Sequence, residues 1–275
     1  MRNGKITDDT NRVPPDTTRF FRFVVMFVIL RSPWLIRGDL LLKGFPDLFG
    51  KRLNSMMKSG KKTLLFGSGL LVLFVIWTIL IQTVDIQNIG QQGTNVGFAT
   101  INGSFHKLTG VHMSVYTITD WLGLVPIFIC LVFGIVGLVQ LIRRRSLLQV
   151  DHDITILGIY YILVILGYLI FEMIPINYRP IPIEGRMEAS YPSSTTLLVM
   201  SVMPTLIFQV KRRITNQTIA LAINLTAICF TLFMVIGRTV AGVHWLTDIM
   251  GSVLLSSGLY LVYRSIVMLC DSRRS

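Results

Sequence analysis

The sequence predicts an all-α integral membrane protein built as a bundle of six transmembrane helices. Three observations predict this class. Apolar residues make up 52% of the 275-residue chain and charged residues only 15%, a balance that excludes an ordinary soluble domain. The apolar residues are collected into six runs that are long enough, or nearly long enough, to cross a bilayer as helices, which takes about 17 to 25 residues. Basic residues are concentrated between alternate runs.

The six apolar runs follow one another from residue 64 to the end of the chain. They cover residues 64–81, 122–142, 154–171, 196–210, 218–236 and 245–269. Most positions in each run are Leu, Ile, Val, Phe, Met or Ala, and polar or basic segments separate the runs. The fourth run is the shortest and contains Pro204, so we expect its helix to begin a few residues before Thr196 and to be kinked at the proline.

Positive charge distinguishes the two ends of the predicted bundle. Basic residues precede the first run, follow the second and fourth runs, and end the chain: Lys58, Lys61, Lys62, Arg143, Arg144, Arg145, Lys211, Arg212, Arg213, Arg273 and Arg274. The other loops contain only Lys107, Arg179, Arg186 and Arg238. Because short cytoplasmic loops carry an excess of Lys and Arg, both termini are predicted to be cytoplasmic and loops one, three and five extracytoplasmic. The net charge of +12 then reflects membrane topology, and no nucleic-acid partner is expected.

Residues 1–62 differ from the rest, and three interpretations of them stay open. The basic, aromatic stretch 19–30 is too short to span a bilayer and could lie in the membrane interface. The segment could instead be a poorly structured cytoplasmic extension. Translation could also begin at Met56 or Met57, because the sequence there resembles a natural start. The six-helix domain is predicted over residues 63–270, with a cytoplasmic tail at 271–275.

The strongest candidate site begins at Arg238, where His244 follows after six residues and Asp248 four residues later. If both are helical, this spacing places His244 and Asp248 on one face, where the carboxylate can orient the imidazole as a nucleophile. Arg238 supplies a planar cation suited to phosphate oxygens. Ionisable residues at membrane depth are costly, so three together indicate a site.

A second group of residues lies in the third loop and at the start of the fourth apolar run. Ser193, Ser194 and Thr195 follow Pro192, where small hydroxyl residues are good helix caps. A helix amino terminus also presents free N–H groups to an anion. Together with Arg179 and Arg238, these residues predict a phosphate-sized pocket on the outer face.

In their order and spacing, three motifs of this chain resemble those of the type 2 phosphatidic acid phosphatase superfamily. In that superfamily the first motif is Lys, then six residues, then Arg-Pro. The second motif is Pro-Ser-Gly-His or Pro-Ser-Ser-His. The third motif is Ser-Arg, then five residues, His, three residues and Asp. This chain has Arg179-Pro180, Pro192-Ser193-Ser194, and Gly237-Arg238 with His244 and Asp248. The resemblance covers about residues 63–270.

The resemblance implies a mechanism and a role for each matching residue. His244 is expected to attack phosphorus and form a phosphohistidine, and Asp248 to orient it. Arg179 and Arg238 are expected to hold phosphate oxygens, with help from Ser193 and Ser194. The superfamily requires no metal or other cofactor.

Two positions depart from the superfamily's motifs. Glu172 stands where the first motif has Lys, and Thr195 stands where the second motif has the His that protonates the leaving group. Loss of a general acid typically costs about 10² to 10⁴ in rate. Three outcomes stay open: the substrate has a good leaving group such as a diphosphate, the site binds phosphate without turnover, or another side chain supplies the proton. The candidates for that side chain are His106, His112, Asp120 and Glu188.

The expected function is hydrolysis of a membrane lipid phosphate or lipid diphosphate, such as a polyprenyl diphosphate, at the extracytoplasmic face of the cell membrane. A nucleophile beside an anion pocket at the bilayer edge meets a headgroup whose tail stays in the bilayer. Two alternatives are a phosphotransferase that uses the same phosphohistidine and a lipid-phosphate binder that has lost turnover.

Overall fold

The computed structural model describes residues 38–274, and most of these residues are helical. The α-helices are α1 (Gly38–Ile81), α2 (Ala99–Thr109), α3 (Met113–Leu122), α4 (Leu124–Arg144), α5 (His152–Met173), α6 (Ser194–Arg213), α7 (Gln217–Val240) and α8 (Leu246–Arg274). Between residues 38 and 274 there is no β-strand, and the extended backbone forms only isolated bridges.

Six helical segments of the described chain are long and apolar enough to cross a membrane. They are Met57–Ile81, Met113–Arg144, His152–Met173, Ser194–Arg213, Gln217–Val240 and Leu246–Arg273. The predicted fold class, an all-α six-span membrane protein, is therefore confirmed. The fourth span begins at Ser194, two residues before the apolar run, as expected, and Pro204 lies inside it.

The domain bounds predicted from the sequence do not coincide with helix ends. Helix α1 is continuous through residue 63 and α8 continues to Arg274, so neither the predicted extension nor the predicted tail is set off by a break. The chain separates into two compact units, Met1–Arg52 and Leu53–Ser275. The predicted interfacial stretch 19–30 lies outside the described residues, so its three interpretations stay open.

Helix α6 occupies the centre of the second unit and packs against α7 and α8, with α5 also lying on α8. Its mean hydropathy of 1.2 is the lowest of the six spans. A central helix contacts other helices rather than lipid, so it can bury polar side chains that pair with one another. Thr205 accepts or donates a 2.8 Å hydrogen bond with the Tyr161 hydroxyl, and Gln209 donates to the Tyr263 hydroxyl at 2.8 Å. The central position of this span therefore explains its low mean hydropathy.

The basic clusters meet in an ion-pair network at one end of the bundle. Arg212 lies 2.7 Å from Asp271 and 3.2 Å from the buried Asp153, and Arg213 lies 2.8 Å from Asp153. Arg144 pairs with Asp151 at 2.8 Å. The second, fourth and sixth spans therefore end together. Which membrane side this end faces remains a prediction from the charge distribution.

The first outer loop is structured, which the apolar runs did not indicate. Helix α2 packs on α8 and α3 packs on α7. The Asn102 side chain is buried and donates to the Gly97 carbonyl and to the Thr247 hydroxyl, at 2.8 and 2.9 Å. The His112 backbone N–H donates to the Ala241 carbonyl at 3.0 Å. The loop is thus fixed to the chain segment that contains His244.

We expect Gly251→Ala to lower the melting temperature of the detergent-solubilised protein. An added methyl group on α8 would lie 2.3 Å from the Tyr191 ring, which is buried, stacked on Phe74 and hydrogen-bonded to Thr78. Overpacking of this kind costs about 1 to 3 kcal/mol, more than the roughly 1 kcal/mol that alanine gains over glycine in a helix.

Gly158→Ala on α5 is the matched control, because an added methyl group there meets no atom within 4 Å. This variant should keep or raise the melting temperature. Equal shifts in the two variants would contradict tight packing of Tyr191 against α8.

Candidate active site

The loop between α5 and α6 folds back on itself and brings distant residues together. Tyr178 and Ala189 form an antiparallel bridge, and the Arg179 N–H donates to the Glu188 carbonyl at 3.1 Å. The Ser190 N–H donates to the Asn177 carbonyl at 2.9 Å. Arg179 and Ser190, eleven residues apart in sequence, therefore lie on neighbouring extended segments of one hairpin-shaped loop, called the hairpin below.

The start of α6 is anchored to the start of α8. The Ser252 hydroxyl donates to the backbone carbonyls of Ser193 and Asp248, at 2.9 and 3.0 Å. The Ser193 side chain is fully buried and donates to the Thr196 hydroxyl at 3.1 Å, whereas Ser194 faces a cavity. Of the two serines predicted to bind phosphate, Ser194 is therefore the one whose side chain is accessible to a ligand.

His244 lies just before α8, not within it, because the helix begins at Leu246. The helical stacking of His244 on Asp248 expected from the four-residue spacing therefore does not occur. The closest approach of imidazole Nδ1 to the carboxylate Oδ2 is 3.9 Å. Asp248 instead accepts the Trp245 N–H at 2.9 Å, so its carboxylate closes the turn that carries His244.

Ser190 connects the imidazole to the carboxylate, and Asn177 holds the carboxylate from its other oxygen. The Ser190 hydroxyl donates to Asp248 Oδ2 and lies 3.2 Å from His244 Nδ1. Asn177 donates to Asp248 Oδ1 at 3.3 Å. Sequence reasoning missed both residues, because the hairpin that carries them gives no periodic signal and lies more than fifty residues from His244.

The hydrogen bonds of His244 define which ring nitrogen carries the proton and which keeps its lone pair. Nδ1 lies 3.0 Å from the Ser190 carbonyl, which only accepts, so Nδ1 carries the proton. Nε2 then keeps its lone pair and accepts from Arg238 Nη2 at 3.3 Å. Burial, followed by the nearby charges of Arg238 and Arg179, holds the pKa of His244 well below its ordinary value of 6.5. The imidazole is therefore neutral at physiological pH, with Nε2 as a potential nucleophile.

The two predicted phosphate-binding arginines lie over one aromatic ring. The guanidinium carbon of Arg238 is 4.9 Å from the centre of the Tyr116 ring, and that of Arg179 is 5.9 Å from it. Both distances are within the range of cation–π attraction. Arg238 is 1% and Arg179 8% exposed. Tyr116, on α3, is a further site residue that the sequence did not single out.

Three nitrogen atoms of these arginines donate to no acceptor within residues 38–274. They are Arg179 Nε, Arg179 Nη1 and Arg238 Nε. A buried donor without a partner costs about 1 to 3 kcal/mol, and more when the group is charged. Two buried guanidinium groups with free donors are therefore prepared to receive the oxygens of an anion.

Two cavities share Ser194 and Tyr168 in their linings. The first, about 200 Å³, is polar, and its lining includes Arg179, Glu172, Glu188 and His244. The second, about 470 Å³, is a mostly apolar groove between α4, α5 and α6. Ser194 lines both, so an anion beside Ser194 would have the polar cavity on one side and the apolar groove on the other.

The two variant positions lie on opposite sides of Ser194. Glu172 lines the polar cavity and makes no ion pair within the described chain, while Arg179 pairs with Glu188 at 3.1 Å. Thr195 lines the apolar groove together with Asp120, whose carboxylate lies 3.6 Å from Arg238 Nη1.

Neither of the two outer-loop histidines lines a cavity of the site. Nε2 of His106 lies 3.1 Å from the Gly242 carbonyl and its ring packs against Trp245, while Nε2 of His112 lies 2.9 Å from the Thr109 carbonyl. Of the four side chains proposed as a substitute acid, Asp120 and Glu188 are therefore the ones that line these cavities.

We expect a titration of the four histidines by ¹⁵N NMR to show His244 neutral, protonated at Nδ1, with a pKa below 6.5. Arg238→Gln should raise this pKa by removing a nearby positive charge, while burial keeps it below the ordinary value. Because the folded-state pKa is below the unfolded value, the unfolded chain takes up the proton first. The contribution of His244 to stability is therefore complete above pH 6.5 and declines as the pH falls below it. A pKa above 6.5 in the parent protein would contradict the assigned environment.

Comparison with known proteins bears on both the sequence and the fold. The model of the PAP2 superfamily matches residues 154–270, which include all three motifs. The fold is similar to the crystal structure of the first transmembrane PAP2 type phosphatidylglycerolphosphate phosphatase from Bacillus subtilis, with a TM-score of 0.53. That match covers 73% of this chain and 94% of the other at 17% identity. No curated protein gives a significant match. The predicted resemblance is therefore confirmed: residues 154–270 of this membrane protein match the model of the PAP2 superfamily.

Proposed function

We propose that this protein is a membrane phosphatase that removes a phosphate group from a lipid phosphate or lipid diphosphate at the extracytoplasmic face, through a phosphohistidine on His244. The PAP2 match supports a phosphatase role in general. One observation carries the specific proposal: a neutral imidazole presents Nε2 beside two buried guanidinium groups whose N–H donors lack partners. The proposed nucleophile therefore lies next to the two arginines that would bind the anion.

The reaction begins when the Nε2 lone pair of His244 attacks phosphorus. The N–P bond forms as the bond from phosphorus to the leaving oxygen breaks, and that oxygen takes the electron pair. Positive charge develops on the imidazole ring, where the Ser190 carbonyl and the Asp248 carboxylate stabilise it. Arg179, which lines the polar cavity, and Arg238, which lies beside Nε2 of His244, hold the non-bridging oxygens and offset their charge. Water then hydrolyses the phosphohistidine.

The apolar groove supports a lipid as the carrier of the phosphate group. It extends from Asp120 and Thr195 at the site to Cys130 and Val202, seven residues further along α6. At 1.5 Å per helical residue this is about 10 Å into the bundle. A chain that enters the groove keeps its tail in an apolar environment while its phosphate lies beside Ser194. The similar Bacillus subtilis structure is that of a phosphatidylglycerolphosphate phosphatase, which agrees with this class of substrate.

The proposal predicts that purified protein releases phosphate from members of a panel of lipid phosphates and lipid diphosphates in detergent micelles. His244→Ala should lower the rate by about 10³-fold or more, because it removes the covalent nucleophile. Equal release by variant and parent would exclude the role proposed for His244. Appearance of labelled phosphate on an added alcohol, without free phosphate, would instead indicate the phosphotransferase. Binding without turnover of any substrate would indicate the degenerate binder.

Ser190→Ala should reduce kcat by about 10- to 100-fold, because it leaves the buried Asp248 oxygen without its hydroxyl donor, a loss of about 1 to 3 kcal/mol. KM should change less, since Ser190 does not line the polar cavity. Ser201→Ala is the matched control: its hydroxyl is equally buried but has no acceptor or donor in the described part of the chain. That variant should keep parental activity. A similar loss in both variants would show that Ser190 acts only through packing.

A further inference from the structure

We propose that Asp120 is the general base of the second half-reaction, and that the site therefore acts on lipid diphosphates, whose leaving group departs without a proton. This inference rests on the proposed phosphohistidine mechanism and assigns both the missing proton acceptor and the substrate class. It is carried by the position of Asp120 relative to Arg238, Ser194 and His244.

A single guanidinium group connects Asp120 to the nucleophile. Arg238 Nη2 contacts Nε2 of His244 at 3.3 Å, and Nη1 of the same group lies 3.6 Å from Asp120 Oδ1. Because the guanidinium is planar and rigid, it fixes the carboxylate and the imidazole at its two terminal nitrogens. Asp120 is therefore close to the phosphate position without contacting His244 itself.

The two cavities separate the nucleophile from the carboxylate. His244 lines the polar cavity and not the groove, whereas Asp120 lines the groove and not the polar cavity. Ser194 and Tyr168 line both cavities. Phosphoryl transfer requires the attacking and leaving atoms to be roughly in line, so the group opposite His244 departs on the groove side. The water that hydrolyses the phosphohistidine must enter from that same side.

Asp120 is suited to receive a proton from that water. It is the one carboxylate among the described residues that line the groove, where the other ionisable side chains are Cys130, Tyr161 and Tyr168. Its side chain is 56% exposed, so water reaches it. As the partner of a cation it is an acceptor of hydrogen bonds and protons. Glu188, the other candidate, pairs with Arg179 in the cavity that contains His244, on the side of the nucleophile.

The same geometry selects the leaving group. In the first step the departing oxygen lies near Thr195 and Asp120, where the hydroxyl is not a general acid and the carboxylate pairs with Arg238. An alkoxide would depart slowly without protonation, whereas a phosphate leaves as a stable anion. In the second step, the water oxygen bonds to phosphorus, its proton passes to Asp120, and the N–P electron pair returns to Nε2 of His244. Asp120 then releases the proton to solvent.

The test uses an isoprenoid diphosphate labelled at its terminal phosphate, with purified protein in detergent. Asp120→Asn should slow steady-state phosphate release by about 10² to 10⁴-fold while labelled protein accumulates to nearly one phosphate per chain, trapped by alkaline denaturation. The accumulation should disappear when His244→Ala is added. The defect of Asp120→Asn should shrink as the pH rises, because hydroxide needs no base.

The parent should form labelled protein much faster from the diphosphate than from the matching monophosphate.

Two matched variants separate this role from a general effect of charge. Glu188→Gln removes the other carboxylate that pairs with an arginine, and it should not accumulate labelled protein. Glu184→Gln changes an exposed loop carboxylate and should behave as the parent does. Absence of label in Asp120→Asn, or accumulation in Glu188→Gln instead, would overturn the role of Asp120 while leaving the phosphatase intact. Absence of His244-dependent phosphate release from the parent would overturn the proposed function itself.

Discussion

A neutral, buried imidazole held between two positive charges is the constraint on which the rest of this site depends. His244 is 4% exposed, and both burial and the neighbouring arginines oppose its protonation. The Ser190 carbonyl fixes the proton on Nδ1, so Nε2 is directed toward Arg238. Without that carbonyl the ring could rotate or change tautomer, and Nε2, the proposed nucleophile, would no longer face Arg238.

Hydrogen bonds between the helix ends near His244 maintain this arrangement, at the end of the bundle that is predicted to face outward. Ser252 connects the first turns of α6 and α8, and Asn102 attaches the first outer loop to Thr247. Trp245 donates through its indole N–H to the Tyr178 carbonyl at 2.8 Å, which fixes the hairpin to the segment that carries His244. Each of these is a hydrogen bond in a buried or partly buried environment, where an unpaired polar group is costly. The outer ends are therefore rigid enough to keep unpaired arginine donors in place.

Charge is distributed across the site in a way that agrees with two-step chemistry. Each buried arginine has one carboxylate partner, Glu188 for Arg179 and Asp120 for Arg238. Remaining donors stay free for the oxygens of an anion. The polar cavity and the apolar groove share Ser194 and Tyr168, so the charged and the apolar parts of the proposed substrate would contact different cavities. Asp120 and Glu188 are both carboxylates, so what distinguishes them is their position relative to the proposed anion.

The sequence by itself determined the six spans, the clustering of basic residues and the identity of His244, Asp248, Arg179 and Arg238 as one group. These are properties of composition and spacing, which bilayer thickness and the motifs constrain directly. Tertiary structure decided what spacing cannot: His244 precedes its helix, Ser193 faces inward while Ser194 faces the cavity, and Ser190 and Tyr116 join the site. The physical reason is that hairpin folding and helix packing bring together residues far apart in the chain. Which side of the anion a carboxylate occupies is set by that packing alone.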